Sequence, residues 1–181
     1  MLGGAWVVSD NQITHTGFPA TQPPRTAGLG PGHGIVAVQL HDISIRGNIV
    51  SHGRGDAITA MTALHYIIAD NIVSADVEQP FGDASTGIVV AAADDVSVTG
   101  NSIRGFGHGI TATDTGDRLR ITGNGIAAAI GGTGVGIHVG VAVARVVVSG
   151  NTISGTATAA TCLAVDGPPS ASRVSRDNLC W

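Results

Sequence analysis

One short phrase recurs along the chain and limits what the chain can fold into. It consists of an apolar residue, a variable residue, a second apolar residue and a small polar residue, then Gly or Asp followed by Asn. Close copies occupy residues 6–11, 43–48, 66–71, 96–101, 119–124 and 146–151. A weaker seventh copy ends in Asp177-Asn178, and the successive Asn residues are 37, 23, 30, 23, 27 and 27 residues apart. A constant phrase in repeats of this size is typical of a solenoid.

A second phrase, a small residue followed by an apolar one, precedes each later Asn at a nearly fixed distance. Its apolar members are Ile35, Ile58, Ile88, Ile110, Ile137 and Leu163. They lie 13, 13, 13, 14, 14 and 15 residues ahead of their Asn. The segment from this phrase to Asn is thus a constant unit, and insertions follow Asn. We expect two long insertions, 14–32 and 74–86, to flank the short insertion 51–56 and to form a cleft.

The alternation of apolar residues within each phrase indicates a β-strand with one buried face. Parallel stacking of equivalent strands places the isoleucines of the second phrase in one internal row. A second internal row consists of Val50, Val73, Ile103, Ile126 and Ile153. Gly or Asp before Asn favours a turn with positive φ, and stacked Asn side chains form a hydrogen-bonded ladder. We therefore interpret the asparagines as structural, which applies to Asn11, Asn48, Asn71, Asn101, Asn124 and Asn151.

These phrases resemble the repeats of the pectin-lyase-like right-handed parallel β-helix family, which end in Gly-Asn-Thr-Ile, as residues 150–153 do. The resemblance extends from about Ala5 to Cys180. It implies an all-β fold, a single right-handed parallel β-helix domain over residues 1–181 with about seven turns. Because the family includes polysaccharide lyases, hydrolases, uronan epimerases, phage tailspikes, adhesins and non-catalytic modules, it implies no single activity. A leucine-rich solenoid and a left-handed β-helix are disfavoured, since neither regular Leu spacing nor a six-residue rhythm occurs.

Composition and charge restrict the partners of the chain. Its 181 residues include 27 Gly and no Lys, and nine Arg against 13 acidic residues give a net charge of −4. The Arg residues are scattered, so nucleic acid is not an expected partner, because phosphate binding needs a basic face. The charge-free run between Arg120 and Arg145 is long enough to span a bilayer. Its glycines and its strand-like alternation indicate strands instead, so no membrane segment is predicted.

Both ends of a parallel stack expose unpaired strand edges that require covering. Residues 162–181 are interpreted as a last turn that caps the C-terminal end, with its final three residues folding over the core. Cys162 and Cys180 either form a disulfide in this turn or remain free thiols. Only five residues precede Trp6, which suggests a piece of a longer protein or an end covered by another chain. Residues 1–4 lack signal-peptide features, so either export is not encoded or a leader has been removed; we expect an extracellular or cell-surface location.

Four polar residues are candidates for catalysis because their spacing brings them together on successive turns. His15 and His52 each lie four residues after their Asn, and His33 and Asp56 each lie two residues before their Ile. Adjacent turns are about 4.8 Å apart, so each pair can touch and face the cleft, where general acid–base chemistry is feasible. Candidate ligands for a divalent cation such as calcium are Asp56, Asp76, Glu78 and Asp83. No other cofactor is predicted. The alternative interpretation is that all these residues are polar loop residues that face solvent and have no chemical role.

The outward positions of the strands that follow the second phrase are apolar or threonine. They are Val36, Val38, Thr59, Met61, Val89, Ala91, Thr111 and Thr113. Members of the family that cleave acidic sugars use calcium-binding carboxylates with an Arg or Lys base, a set that this face lacks. We therefore predict a non-catalytic scaffold for binding or assembly, part of a larger secreted or surface protein. Its partner would be a polysaccharide, another protein surface, or a second copy docked on the apolar outer face.

Two alternatives stay open at this point. Inserted loops can simply cover the apolar outer face. The chain can also be a carbohydrate-active enzyme, a polysaccharide lyase, glycoside hydrolase or epimerase, acting in the cleft around His15, His33, His52 and Asp56.

A column of charged residues lies just before the strand of the first phrase. Its members change sign along the chain and are Asp42, His65, Asp95, Arg118 and Arg145. Exposed pairs of this kind contribute about a few tenths of a kcal/mol each, so we interpret the column as a source of solubility.

Overall fold

The structure is a computed structural model of the chain. It describes residues 5–14, 33–53, 55–75, 85–114, 116–127, 134–155, 162–167 and 172–181. Its strands, in chain order, are β1 (Trp6–Ser9), β2 (Gln12–Thr14), β3 (Ile35–Val38), β4 (His41–Arg46), β5 (Ile49–Gly53), β6 (Ile58–Ala69), β7 (Ile72–Ala75), β8 (Thr86–Thr99), β9 (Ser102–Arg104), β10 (His108–Thr113), β11 (Leu119–Thr122), β12 (Gly125–Ala127), β13 (Val135–Val139), β14 (Val146–Ser149), β15 (Thr152–Ser154), β16 (Leu163–Val165), β17 (Arg173–Arg176) and β18 (Leu179–Cys180).

The strands form three parallel faces around one core. Face A contains β3, β10, β13, β16 and the first halves of β6 and β8. Face B contains β1, β4, β11, β14, β17 and the second halves of β6 and β8. Face C is a seven-stranded sheet in the order β2, β5, β7, β9, β12, β15 and β18, and we number the levels of the stack 1 to 7 by these strands. The predicted parallel β-helix is confirmed.

The predicted internal rows are present with the predicted register. Ile58 pairs with Ile35 on one side and Ile88 on the other, and the row continues through Ile110 and Ile137. The row on face C is also confirmed, with Val50, Val73, Ile103, Ile126 and Ile153 in succession. All members of both rows are buried. One continuous core therefore runs along the stack, as a solenoid requires.

The asparagine ladder is confirmed as well. Each Asn side chain donates a hydrogen bond from Nδ2 to Oδ1 of the Asn on the next level, at 2.9 to 3.0 Å. The residue before each Asn has a φ between 54° and 66°, which explains the recurring Gly or Asp. Asn178 completes the ladder at level 7, so the weak seventh copy of the phrase is a structural repeat.

The C-terminal end of the stack carries a charge where the other levels bury an apolar side chain. Arg173 lies in register with the buried Val146 of the level before it. Its guanidinium donates hydrogen bonds to the carbonyl oxygens of Val141 and Val143, each at 2.6 Å, and to that of Asp166. A charge at an inward register position disfavours pairing of a further strand with this edge.

A disulfide between Cys162 and Cys180 ties the start of the last turn to its end, with the two Cα atoms 6.1 Å apart. It decides between the two alternatives that the sequence left open. Trp181 does not fold over the core, since 68% of it is exposed and its backbone continues the pairing of face C with Ile153 and Gly155. Leu179 is also 59% exposed, so the expectation that the final three residues fold over the core was wrong.

Candidate functional site

The predicted cleft is only partly within the described residues. His33 and Asp56 are described, whereas His15, the side chain of His52, and the acidic residues Asp76, Glu78 and Asp83 lie outside them. The calcium site proposed for this loop therefore stays a prediction. Among the described residues, no group of three or more His, Cys, Asp or Glu side chains is arranged to hold a metal ion.

His33 and Asp56 lie side by side on levels 2 and 3, as their register predicts. The His33 Nδ1 atom is 3.9 Å from Asp56 Oδ2, too far for a hydrogen bond. The other Asp56 oxygen accepts a hydrogen bond from the backbone N–H of Thr86 at 2.9 Å. Both side chains are mostly buried. Asp56 thus connects level 3 to level 4 through a hydrogen bond. His33 lies close to Asp56 but is not hydrogen-bonded to it.

Four buried polar atoms at or near this corner, where the chain enters face A, have no hydrogen-bond partner among the described residues. The atoms are His33 Nδ1, Thr59 Oγ1, Ser85 Oγ and His108 Nδ1, one on each of levels 2 to 5. Buried polar groups in folded proteins nearly always have a partner, so these atoms call for water or ligand. Thr59 differs from the prediction of an open outer face, because it occupies an outward register position but is only 4% exposed.

The outer surface of face A is apolar at one end and polar at the other. Val36, Val38 and Met61 are 42%, 43% and 37% exposed, so the predicted apolar surface is open on levels 2 and 3. At the other end, His138 Nε2 lies 2.9 Å from Asp166 Oδ2. The exposed apolar area is therefore a small patch rather than the whole face.

The charged column on the corner between faces A and B forms a chain of contacts. Asp42 Oδ1 lies 3.0 Å from His65 Nδ1, and His65 Nε2 lies 3.8 Å from Asp95 Oδ2. The same Asp95 oxygen lies 3.2 Å from Arg118 Nη2. The backbone of these four residues has φ between 54° and 62°, so the corner turns sharply and directs each side chain outward.

Arg145 ends this column on level 6 and binds a carboxylate from the preceding level. Its Nε donates a hydrogen bond to Asp117 Oδ1 at 2.7 Å, and its Nη2 bonds to Asp117 Oδ2. This two-point contact holds the pKa of the Asp117 carboxyl below its ordinary value. Asp117 also accepts a hydrogen bond from the backbone N–H of Arg118, so it stays ionised and fixed.

A groove runs along face B beside the charged column, and it consists of two adjoining cavities of about 420 and 570 Å³. Asp95 and Ser97 line both cavities, so the groove is continuous. One wall is the charged column. The floor is the row of outward strand positions Ser44, Ile67, Ser97, Arg120, Val147 and Val174. The groove therefore extends from level 2 to level 7, parallel to the axis of the stack.

Sequence reasoning identified the charged column but not the groove. Solubility was the predicted role, because exposed charge pairs contribute little by themselves. The sign change between Asp95 and Arg118, on neighbouring levels beside a floor with Ile67 and Val147, was the signal that could have indicated a binding surface.

Comparisons with known proteins agree with this architecture. Within the described parts of the chain, no helix is long and apolar enough to cross a membrane. Neither the curated proteins nor the solved structures provide a match. The family described as right-handed β-helix region matches residues 2–168, which is most of the chain. With the parallel three-faced stack and its asparagine ladder, this match establishes that the chain belongs to the right-handed β-helix family.

Proposed function

We propose that the chain is a non-catalytic β-helix scaffold that binds an extended partner along the face B groove. The observation that carries the proposal is the continuity of the groove, whose two cavities share Asp95 and Ser97. A concave surface that crosses several levels fits a linear molecule lying parallel to the axis. A compact substrate would fill only one of its two cavities.

The contacts of the ionisable groups in the groove favour binding over proton transfer. Asp95 lies against both His65 and Arg118, and Arg145 holds Asp117 ionised by lowering its pKa. General acid–base catalysis requires a group whose pKa lies near the working pH and that is free to exchange its proton. Carboxylates that are paired with neighbouring cations are better suited to hold a ligand than to exchange protons with it.

The proposed partner is a polysaccharide or an extended part of another protein, and the proposed setting is a larger secreted or surface protein. The disulfide supports this setting, because disulfides form and persist in oxidising compartments. Peptide mapping without reductant, on protein isolated from the extracellular fraction, is expected to recover the two cysteines as one linked peptide. Free thiols in an intracellular pool would contradict the proposed location.

Binding at the groove is tested with a variant that fills it. Ser97→Trp places a large side chain where the two cavities meet. Ser102→Trp is the matched control, because Ser102 is exposed at an outward position of face C. Arrays of acidic oligosaccharides, neutral oligosaccharides and extended peptides provide the ligands. We expect at least one ligand to bind the natural chain and the Ser102 variant with equal affinity. Its affinity for the Ser97 variant should be lower by about tenfold or more. Equal losses in both variants would contradict the proposal.

The second candidate function is a carbohydrate-active enzyme, a lyase, hydrolase or epimerase, with its site at the corner of His33 and Asp56. The observation that favours it is the His33 Nδ1 atom, which is 3.9 Å from a carboxylate and has no hydrogen-bond partner in the part of the chain that the structure describes. Turnover of uronans or neutral glycans, with and without calcium, would establish this alternative if His33→Gln abolished it. Our proposal expects no turnover on either class of substrate.

A further inference from the structure

We infer that the ligand of the face B groove is an extended peptide segment with basic side chains at one end and acidic side chains at the other. This inference rests on the proposed binding function of the groove and adds the chemical class of the partner. It follows from the distribution of charge along the groove, from the free hydrogen-bonding capacity of the charged groups, and from the apolar positions on the floor.

The two ends of the groove carry opposite charge. Asp42 gives the end at level 2 a negative charge, whereas Asp95, next to His65, lies where the two cavities meet and pairs with Arg118. Three guanidinium groups, those of Arg118, Arg120 and Arg145, line the end at levels 5 and 6. Asp117 pairs with Arg145 and Asp95 pairs with Arg118, which leaves Arg120 as the uncompensated positive charge there. A ligand of uniform charge would be repelled at one end, so a polyanionic glycan is disfavoured along the full length.

The charged groups retain capacity for a ligand after their internal contacts are counted. Asp42 uses one carboxylate oxygen for His65, and Arg118 uses Nη2 for Asp95. Among the described residues, Arg120 is in no ion pair, and its side chain is exposed. A guanidinium offers five N–H donors and suits a carboxylate in a two-point contact. Arg120 is therefore the cation that we expect to engage an acidic side chain most directly.

The floor and the length of the groove suit an extended peptide. Ile67 and Val174 are each 37% exposed on the floor, and Val147 is half-buried beside the charged column. Apolar positions between two charged ends can receive uncharged side chains, whereas a neutral glycan would leave both sets of charges unused. The levels of Asp42 and Arg145 are four spacings apart, about 19 Å, which an extended peptide spans with about six residues.

The inference is tested with three synthetic octapeptides of identical composition and blocked termini. The block peptide has two lysines at one end, four serine and valine residues in the middle and two glutamates at the other end. It is made in both chain directions, because the groove can accept either. The isomer alternates lysine and glutamate along its length. Fluorescence anisotropy at low ionic strength, about 20 mM salt so that screening is weak, measures the affinities.

We expect one block peptide to bind about tenfold tighter than the isomer, and added salt to weaken that binding. Arg120→Glu should reduce the affinity for the block peptide about tenfold or more. Arg104→Glu is the matched control, since Arg104 is exposed on face C and outside the groove, and it should leave the affinity unchanged. Ser97→Trp should remove the binding altogether.

Equal affinity of the block peptides and the isomer would overturn the inference, as would equal losses in the Arg120 and Arg104 variants. If an oligouronate binds and is blocked by Ser97→Trp while neither block peptide binds, the ligand class is wrong and the binding function stands. If no probe shows binding that Ser97→Trp blocks, the proposed function fails with the inference.

Discussion

The contacts of the asparagine ladder allow an estimate of how much unfolding free energy is lost when one side chain is removed. Asn101, in the middle of the stack, has buried contacts on both sides. Its two Nδ2 hydrogens are shared among three acceptors, the carbonyls of Ile68 and Thr99 and Oδ1 of Asn124. Its Oδ1 accepts from both the backbone N–H and the Nδ2 of Asn71. Asn101→Ala removes all five contacts and leaves the buried backbone N–H of Asn71 without its acceptor.

A buried donor or acceptor left unpaired costs about 1 to 3 kcal/mol, and several groups lose a bond here. We therefore expect Asn101→Ala to lower the free energy of unfolding by about 3 to 5 kcal/mol, in the upper range for a single substitution. Urea titration followed by far-ultraviolet circular dichroism measures the change from the shift of the midpoint.

Asn11→Ala is the control at the exposed end of the same ladder. Asn11 donates from Nδ2 to Asn48 and to the carbonyl of Ser9, and water can replace both contacts because the side chain is exposed. The expected loss is about 1 kcal/mol or less. Equal losses for Asn11 and Asn101 would refute the reasoning, because the cost would then not depend on burial within the ladder.

Three further predictions concern the core, the charged corner and the disulfide. Ile121→Ala should cost about 2 to 5 kcal/mol and Thr113→Ala under about 1 kcal/mol, and equal urea midpoints would contradict the assignment of inward and outward positions. Because the pKa of Asp117 is lowered in the folded chain, its contribution to stability is present above its ordinary pKa of about 4 and is lost as the pH falls below that value. An NMR titration should show this pKa rising in Arg145→Gln, and an unchanged value would assign the shift to another cause. Reduction of the disulfide, whose cysteines are 18 residues apart, should cost about 3 kcal/mol, and an unchanged midpoint with reductant would exclude that role.

The scaffold was predictable because its determinants are local and repeated. Alternation fixes which side of a strand is buried, and the constant spacing from Ile88 to Asn101, or from Ile58 to Asn71, fixes the register between levels. A one-residue slip would place every apolar side chain of a strand on the wrong face, so one register is strongly preferred. The same regularity predicted the positive φ before each Asn.

The surface features were less predictable because they depend on shape and not on periodicity. Alternation places Thr59 outward correctly but does not show that it is buried there. The depth of the groove depends on how far corner residues such as Asp95 extend beyond outward residues such as Ser97. A sequence pattern does not contain this depth. The pairing of the two cysteines required the level 7 turn to bring the beginning of face A next to the end of face C.

The parallel stacking also determines how the chain responds to mechanical force. The backbone hydrogen bonds of all three faces connect one level to the next, so they lie along the axis of the stack. Tension applied between the two ends would peel strands away from an end and break these bonds a few at a time. Each interior level would release the 23 to 30 residues between successive asparagines, a gain in contour length of about 80 to 100 Å. The disulfide keeps the segment from Cys162 to Cys180 from extending, so the first step from that end would be shorter until the bond is reduced.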